Sequence, residues 1–216
     1  MHTLVVKYTP RGSRSRTNEL LHHFLEHLPI EHDVRTLDLC HDLPDFFLPD
    51  RLQSYIIRNY HNSRLDLHHA KLMHQMDKMT ADVLGADQLV LATPIHNYSL
   101  PALVKGWFDS IMLKGKTWDL EQSPAGEITF SGLIPPNRKA LVIVTSGSTY
   151  QADSKYKDFC TPLAKQNLDF MGFSPVQIVH AAGMNFSQEV ADRAIDHAKS
   201  ALAQCADNWL SHKVLS

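Results

Sequence analysis

Five segments of the chain carry enough adjacent apolar residues to predict β-strands. Residues 3–8, 88–92 and 140–144 read TLVVKY, QLVLA and ALVIV. Apolar runs of this kind are typical of parallel strands whose two faces are both buried. Residues 34–39 and 175–179 are weaker candidates, because polar residues interrupt their apolar positions.

Apolar residues recur with the period of an α-helix in the segments between and after these strands. Pro101 stands near the start of the third predicted helix, where a residue without an N–H group costs little. Gly85 and Gly172 mark the ends of the second and fourth helices. Five helices are predicted, and the fourth covers the span 159–171. The residues that share one face of each of the other four are, in chain order, Leu20, Leu21, Phe24, Leu25 and Leu28; Leu65, Leu72, Met76, Met79 and Val83; Leu103, Val104, Trp107, Phe108, Ile111 and Met112; and Ala194, Ala198, Leu202, Cys205 and Trp209.

The alternation of strands and helices predicts an α/β fold with right-handed crossovers between parallel strands. Five strands favour a doubly wound, flavodoxin-like sheet of order 2-1-3-4-5 with helices on both faces, whose ligand lies outside the carboxyl ends of the strands. No repeat or linker divides the 216 residues, so we expect a single domain over 1–216. Residues 40–64 and 114–138 exceed ordinary connection lengths and are functional covers, partner surfaces or ordinary surface excursions.

Composition narrows the possible functions. A formal net charge of -2 offers no general electrostatic basis for binding nucleic acid, and three cysteines are too few for a disulfide framework. No apolar run approaches the roughly 20 residues needed to span a membrane, and the N-terminus shows no secretory cleavage site. We therefore expect a soluble, cytoplasmic protein.

His23 and His27 share a helix face without a third ligand close in sequence, so we predict no metal site.

The loop after the first strand has the composition of a phosphate site. Residues 9–18 contain three arginines, four hydroxyl side chains and one glycine, and they open the first helix. A helix N-terminus offers unpaired N–H groups and a partial positive charge, which suits a phosphate monoester. The alternative is an exposed basic loop in which Thr17 or Asn18 is a simple N-cap. The candidate phosphate ligands are Thr9, Arg11, Ser15, Arg16 and Thr17.

The loop after the third strand is stiffened by two prolines. Pro94 and Pro101 bracket residues that are biased away from helix, so a rigid backbone could present N–H and C=O groups to a planar heterocycle. His96 and Tyr98 add flat surfaces, and Asn97 offers both a donor and an acceptor. The alternative is a strand-to-helix turn whose prolines only set its geometry.

These residues resemble a known flavin-binding signature. Residues 94–98, followed by Leu100, Pro101, Leu103, Lys105 and Asp109, are similar to the signature of the FMN-dependent NADH-azoreductases and NAD(P)H:quinone reductases, a flavodoxin-like family. His96 stands where azoreductases usually have tyrosine, and Ile95 where they often have methionine. Residues 115–118 and the serine-rich loop 145–150 match further family segments. The FMN ligands that the resemblance implies are the phosphate-loop residues together with Pro94, Ile95, His96, Asn97, Tyr98, Ser146, Gly147, Ser148 and Tyr150.

The resemblance implies an enzyme. FMN would take electrons from NADH or NADPH and pass two of them to a quinone, azo or nitro-aromatic substrate by a ping-pong mechanism, in a homodimer. His96 is the first candidate for a catalytic proton donor, and Tyr150 is the second. Trp118 and Phe130 either shape a substrate pocket or belong to ordinary packing. Two other functions stay open: a non-catalytic flavin electron carrier and a redox-sensing regulatory flavoprotein.

Overall fold

The protein is described by a computed structural model that covers residues 1–150, 153 and 155–210. Residues 211–216 of the predicted domain lie outside the described residues. A single turn of 3-10 helix, Gly12–Arg14, precedes the first α-helix, and a π-helical turn, Ile56–Tyr60, directly follows the second. The main elements, in chain order, are β1 (His2–Lys7), α1 (Arg16–Glu26), β2 (Asp33–Asp38), α2 (Pro49–Tyr55), α3 (Leu67–Gly85), β3 (Gln88–Pro94), α4 (Ala102–Ile111), β4 (Trp118–Gln122), β5 (Ile128–Gly132), β6 (Lys139–Thr145), α5 (Cys160–Met171), β7 (Val176–Ala181) and α6 (Gln188–Leu210).

Five of the strands form one parallel sheet of order β2-β1-β3-β6-β7. Val5 in β1 pairs with Thr36 in β2 and with Val90 in β3, which fixes the register at the centre of the sheet. When only these five strands are numbered, the order is 2-1-3-4-5, and the predicted flavodoxin-like α/β fold is confirmed. All five strands run in the same direction, so their carboxyl ends lie along one edge of the sheet.

Side chains from alternate positions of the central strands belong to two hydrophobic clusters. Leu4 and Val6 of β1 pack in a cluster that also contains buried residues of α3, α4 and α5. Val5, between them, packs in a second cluster with buried residues of α1 and α6. Successive side chains of a strand point to opposite sides of the sheet. Strands β3 and β6, buried at all but one position each, contribute to both clusters, and this explains their continuous apolar sequence.

The long segment 114–138 contains a hairpin that the sequence analysis did not predict. Strands β4 and β5 pair antiparallel and form a second, two-stranded sheet. The backbone N–H of Gly126 donates to the carbonyl oxygen of Ser123 at 2.9 Å and closes the turn between them. The apolar side chains of the hairpin stay largely at the surface, and Phe130 is 64% exposed. These two strands therefore lack the continuous apolar run by which the sequence reveals a buried strand.

Two helices begin or end inside their predicted limits. Helix α1 ends at Glu26, so Leu28 lies beyond it, although its side chain is buried. Helix α3 begins at Leu67, because Asp66 is its N-cap: a carboxylate oxygen of Asp66 accepts the backbone N–H of His69 at 2.8 Å. Leu65 therefore precedes the helix. Within the part of the chain that is described, no helix is both long and apolar enough to cross a membrane.

Candidate functional site

A cavity of about 260 Å³ lies at the carboxyl edge of the sheet, where the loops after β1, β3 and β6 meet. The residues after β7 complete its wall. None of the described residues that line it is acidic. They are Pro10, Arg11, Ser15, Arg16, Thr17, Pro94, Ile95, His96, Thr145, Ser146, Gly147, Met184 and Asn185.

The β1 side of the cavity is the N-terminus of α1. Ser15 is the N-cap, and its hydroxyl oxygen accepts the backbone N–H of Asn18 at 3.3 Å. Thr17, in the first turn, has its hydroxyl oxygen 2.6 Å from that of Thr145 at the end of β6. All three hydroxyl-bearing side chains, Ser15, Thr17 and Thr145, are buried. The cavity thus combines a helix N-terminus with hydroxyl groups that are held in place by hydrogen bonds, which is an arrangement that binds anions.

Two arginines give this side of the cavity its positive charge. Arg11 is exposed at the mouth, and Arg16 begins the helix. The Arg16 guanidinium also contacts Glu19 at 3.0 Å and Asp192 of α6 at 3.2 Å. These two carboxylates hold Arg16 in place while they offset part of its charge. The charge that Arg11 carries at the cavity is less compensated.

The loop after β3 makes a tight turn beside the cavity. The Ile95 N–H donates to the carbonyl oxygen of Thr145 at 2.8 Å, and His96 and Ser99 exchange two backbone hydrogen bonds. Asn97 and Tyr98, between them, have φ angles of 48° and 71°. Left-handed backbone at two successive positions is the conformation of a type I′ turn, and it is uncommon for tyrosine.

Two aromatic contacts and a backbone bond hold Tyr98 in this conformation. Its ring stacks on that of Tyr156, with centroids 5.5 Å apart and an interplanar angle of 7°. Tyr150 contacts the same ring edge-on at 6.5 Å. The Phe159 N–H donates to the Tyr98 carbonyl oxygen at 2.8 Å. Burial, together with the negative charge of Asp158, raises the pKa of Tyr150, so its phenol stays protonated at neutral pH.

The loop after β6 is bonded to the residues that follow β7. Met184 donates its N–H to the carbonyl oxygen of Ser146 at 2.9 Å, and Asn185 does the same to Gly147 at 3.0 Å. The Asn185 side chain packs directly on Gly147: a Cβ at that position would lie 2.2 Å from Asn185 Nδ2. The close approach explains why glycine stands there.

The structure brings most of the predicted site residues to one cavity, but not all of them. Arg11, Ser15, Arg16 and Thr17 line it, with Pro94, Ile95, His96, Ser146 and Gly147. The predicted ligands outside its wall are Thr9, Asn97, Tyr98, Ser148 and Tyr150. Thr9 is buried beneath the loop, and its carbonyl oxygen accepts the Gly12 N–H at 2.9 Å. Asn97 lies exposed at the tip of its turn.

Four lining residues were not among the predicted ligands: Pro10, Thr145, Met184 and Asn185. Pro10 and Thr145 lie within the predicted loops 9–18 and 145–150. Met184 and Asn185 follow β7, a strand that its sequence predicts only weakly. The rule that ligands lie outside the carboxyl ends of parallel strands applies to β7 as well, and it could have singled out both residues.

Trp118 and Phe130 line a second cavity of about 370 Å³, which shares no described lining residue with the first. Their rings meet that of Phe170 at centroid distances of 5.5 and 5.7 Å. Phe47, from the long segment 40–64, closes another side. Both long segments therefore contribute aromatic side chains to this cavity. Among the described residues, no group of three or more His, Cys, Asp or Glu side chains is arranged to hold a metal ion.

His180, near the end of β7, predicts a pH dependence of stability. Burial lowers its pKa from the usual 6.5, and the nearby Asp158 opposes that effect only in part. The unfolded chain therefore takes up a proton at this histidine before the folded protein does, and the stability that neutral His180 contributes is lost as pH falls below about 6.5. As pH is lowered from about 7 to about 5, we expect the free energy of unfolding of the wild type to decrease more than that of His180→Gln. Urea titrations at a series of pH values measure this difference, and a constant difference would contradict it.

Comparison with known proteins supports the same fold. The family model Flavodoxin_2, described as a flavodoxin-like fold, matches residues 1–205. The chain belongs to this family. Over 206 residues it is 30% identical to the FMN-dependent NADH:quinone oxidoreductase of Aeromonas salmonicida, covering 94% of this chain and 97% of that protein. It is 27% identical over 212 residues to a protein of the same name from Nostoc sp., covering 95% and 98%.

A solved structure of another member of the fold is similar along nearly its whole length. It is that of an FMN-dependent NADH-azoreductase from Bacillus anthracis in complex with FMN, and it matches with a TM-score of 0.80 at 23% identity. The match covers 95% of this chain and 99% of that chain. At this level of identity, the likeness shows that the fold is shared.

Proposed function

We propose that this protein binds FMN at the three-loop cavity and transfers two electrons from NADH or NADPH to a quinone, azo or nitro-aromatic acceptor. The observation that carries the proposal is the meeting of the α1 N-terminus, the Pro94–His96 backbone and the Ser146–Gly147 turn at one edge of the sheet. Two relatives that align over nearly the whole chain are FMN-dependent NADH:quinone oxidoreductases, and this supports the same activity.

The chemistry of the cavity fits FMN. A phosphate monoester needs several donors at one place, and here they are the N–H groups of the first turn of α1, the hydroxyls of Ser15 and Thr17, and the guanidinium groups of Arg11 and Arg16. The described wall presents no carboxylate that would repel the phosphate. At about 260 Å³ the cavity is smaller than sites that enclose a whole cofactor, which range from about 300 to 1,000 Å³. It therefore accommodates part of such a ligand, while the remainder lies at its mouth.

The other predicted ligands would contact the parts of FMN beyond its phosphate or support the loop that binds the phosphate. We assign Pro94, Ile95 and His96 to contact with the flavin ring, with Asn97 and Tyr98 at the tip of the turn. The N–H groups of Ile95 and His96 already donate to Thr145 and Ser99, so they serve the site by fixing the shape of the turn. Ser146, Gly147 and Ser148 would contact the pyrimidine edge, and Tyr150 would stand behind them. Thr9 supports the phosphate loop from beneath.

When bound, FMN supplies the redox chemistry, because it accepts a hydride and passes on two electrons. The protein's own residues orient the substrates and provide protons. His96 lies exposed at the cavity wall, where its imidazole can donate a proton to a bound substrate. The Tyr150 phenol, kept protonated by its raised pKa, is the second donor to a developing oxyanion. Donor and acceptor would use the same site in turn, which gives ping-pong kinetics.

We further infer a single cytoplasmic domain over 1–216, with helices on both faces of the sheet, that forms a homodimer. The alternating membership of β1 side chains in the two clusters supports the covered faces. The exposed apolar side chains Phe46 and Leu48, before and at the start of α2, and Ile128 and Phe130 of the hairpin support an interface between subunits. In a homodimer, a partner subunit would complete the open mouth of the flavin site.

The experiment mixes purified, FMN-loaded protein anaerobically with NADH or NADPH and then adds a benzoquinone. We expect rapid bleaching of the flavin absorbance, followed by multiple turnovers whose double-reciprocal plots are parallel. Bleaching without turnover would favour an electron carrier over an enzyme. Absence of bleaching with both nucleotides would overturn the proposed activity.

A further inference from the structure

The Ser146 hydroxyl at the cavity wall contacts two groups at once. Its oxygen lies 2.7 Å from the carbonyl oxygen of Ser148 and 2.8 Å from Nε2 of His180. Ser146 is buried, and only 22% of the His180 side chain is exposed. The histidine is 34 residues away in sequence, so the contact joins β7 directly to the loop after β6.

The direction of these hydrogen bonds fixes the tautomer of His180. A hydroxyl carries one hydrogen, and a carbonyl oxygen can only accept. The Ser146 hydroxyl therefore donates to Ser148 and must accept from His180. It follows that Nε2 of His180 carries a hydrogen, whether the ring is neutral or protonated.

The opposite side of the His180 ring faces the start of α5. Its Nδ1 lies 4.0 Å from a carboxylate oxygen of Asp158. That carboxylate caps α5 by accepting the N–H groups of Cys160 at 2.7 Å and Thr161 at 3.0 Å. Asp158 is thus held in place by the helix. Its carboxylate lies beyond hydrogen-bond distance from Nδ1, so the hydrogen bond to Ser146 is the contact that orients the ring.

We propose that His180 is a positioning residue: by donating from Nε2 to Ser146 it fixes the turn of residues 146–148 in the shape that receives the pyrimidine edge of the flavin. The inference rests on the proposed FMN site, since it concerns the turn assigned to that edge. Two backbone bonds, from Met184 and Asn185, hold the same turn through its carbonyl oxygens. The His180 bond is different because it acts on the hydroxyl that closes the turn onto Ser148.

A first test needs no cofactor. In ring-nitrogen NMR spectra of the apo protein, the signals of His180 are identified by their loss in His180→Gln. We expect the pattern of a histidine protonated at Nε2 above pH 7. A ring protonated only at Nδ1 would overturn the proposal, because it could not donate to Ser146.

A second test measures FMN affinity by quenching of flavin fluorescence. His180→Leu removes the donor, and we expect it to bind FMN about fivefold more weakly, as for the loss of one hydrogen bond. His180→Gln keeps an N–H donor at nearly the same distance from the backbone, and it should restore the affinity to within about twofold of the wild type. Adding His180→Leu to Ser146→Ala should cost nothing further, since the two residues act through one bond.

His69→Gln is the matched control. Its side chain is 25% exposed, close to that of His180, and its Nδ1 contacts Asp66 at 2.9 Å near the start of α3, away from the cavity. It should leave the FMN affinity unchanged.

Equal affinity of His180→Leu and the wild type would overturn the inference. If the wild type itself binds no FMN, both the proposed function and the role of His180 in flavin binding are wrong. The spectra of the apo protein still decide whether His180 donates to Ser146 and so holds the turn.

Discussion

A Ser15→Asp variant will bind FMN at least about a hundredfold more weakly than the wild type, although its fold remains intact. Aspartate is as good an N-cap as serine, so the first turn of α1 keeps its acceptor for the Asn18 N–H. A carboxylate at a helix N-terminus also interacts favourably with the helix dipole. The same charge would face the phosphate of FMN, and two like charges about 4 Å apart repel by roughly 4 kcal/mol at the dielectric of a protein surface. Calorimetric titration measures the loss of affinity.

Two controls isolate the charge effect. Ser15→Ala removes the cap without adding charge, so it should cost about 1 kcal/mol of stability and only a few-fold in FMN affinity. Riboflavin lacks the phosphate, and its weaker binding should be the same in Ser15→Asp and in the wild type. If Ser15→Asp bound FMN as tightly as the wild type does, the phosphate would lie elsewhere.

A Gly132→Ala variant will lose roughly 3 kcal/mol of stability, at the upper end of the usual cost of overpacking. A Cβ at Gly132, the last residue of β5, would lie 2.5 Å from the carbonyl carbon of Met171 and 2.6 Å from the nitrogen of Gly172. These are backbone atoms at the end of α5, which cannot move aside as a flexible side chain would. The hairpin and the helix would have to separate. Urea unfolding followed by circular dichroism measures the change.

Gly85→Ala provides the comparison for that substitution. Gly85 is the last residue of α3, and a Cβ there would meet no atom within 4 Å. Alanine is also the better helix former, so we expect this variant to match or slightly exceed the stability of the wild type. A Gly132→Ala protein as stable as Gly85→Ala would show that the hairpin does not pack on α5 as described.

Parts of the fold were predictable from sequence because burial and periodicity coincide there. β3 and β6 are buried on both faces, and their runs of aliphatic residues reveal them directly. β2 gave a weaker signal because it is an edge strand with four successive exposed residues. The hairpin β4–β5 was missed because its apolar residues alternate with polar ones over only five positions per strand, within a segment rich in glycine and proline.

The site was predictable as far as it follows from topology. Loops at the carboxyl ends of β1, β3 and β6 had to meet once the strand order was fixed, so Ser15, Ile95 and Ser146 could be placed together. The contact of His180 with Ser146 depends on the register between β6 and β7 and on side-chain direction, which no local pattern encodes. The outward position of Asn97 follows from the left-handed turn, which its residue type permits but does not require.

Calorimetric titration of the wild-type apo protein with FMN, and separately with riboflavin, tests the central claim most directly. We predict saturable binding of one FMN per chain with a marked rise in the unfolding temperature, and much weaker binding of riboflavin, because the helix N-terminus and its hydroxyl and guanidinium donors would have no phosphate to hold. Equal affinity for both ligands would contradict the phosphate site at Ser15. Absence of heat and of thermal protection with saturating FMN would contradict the flavin site altogether.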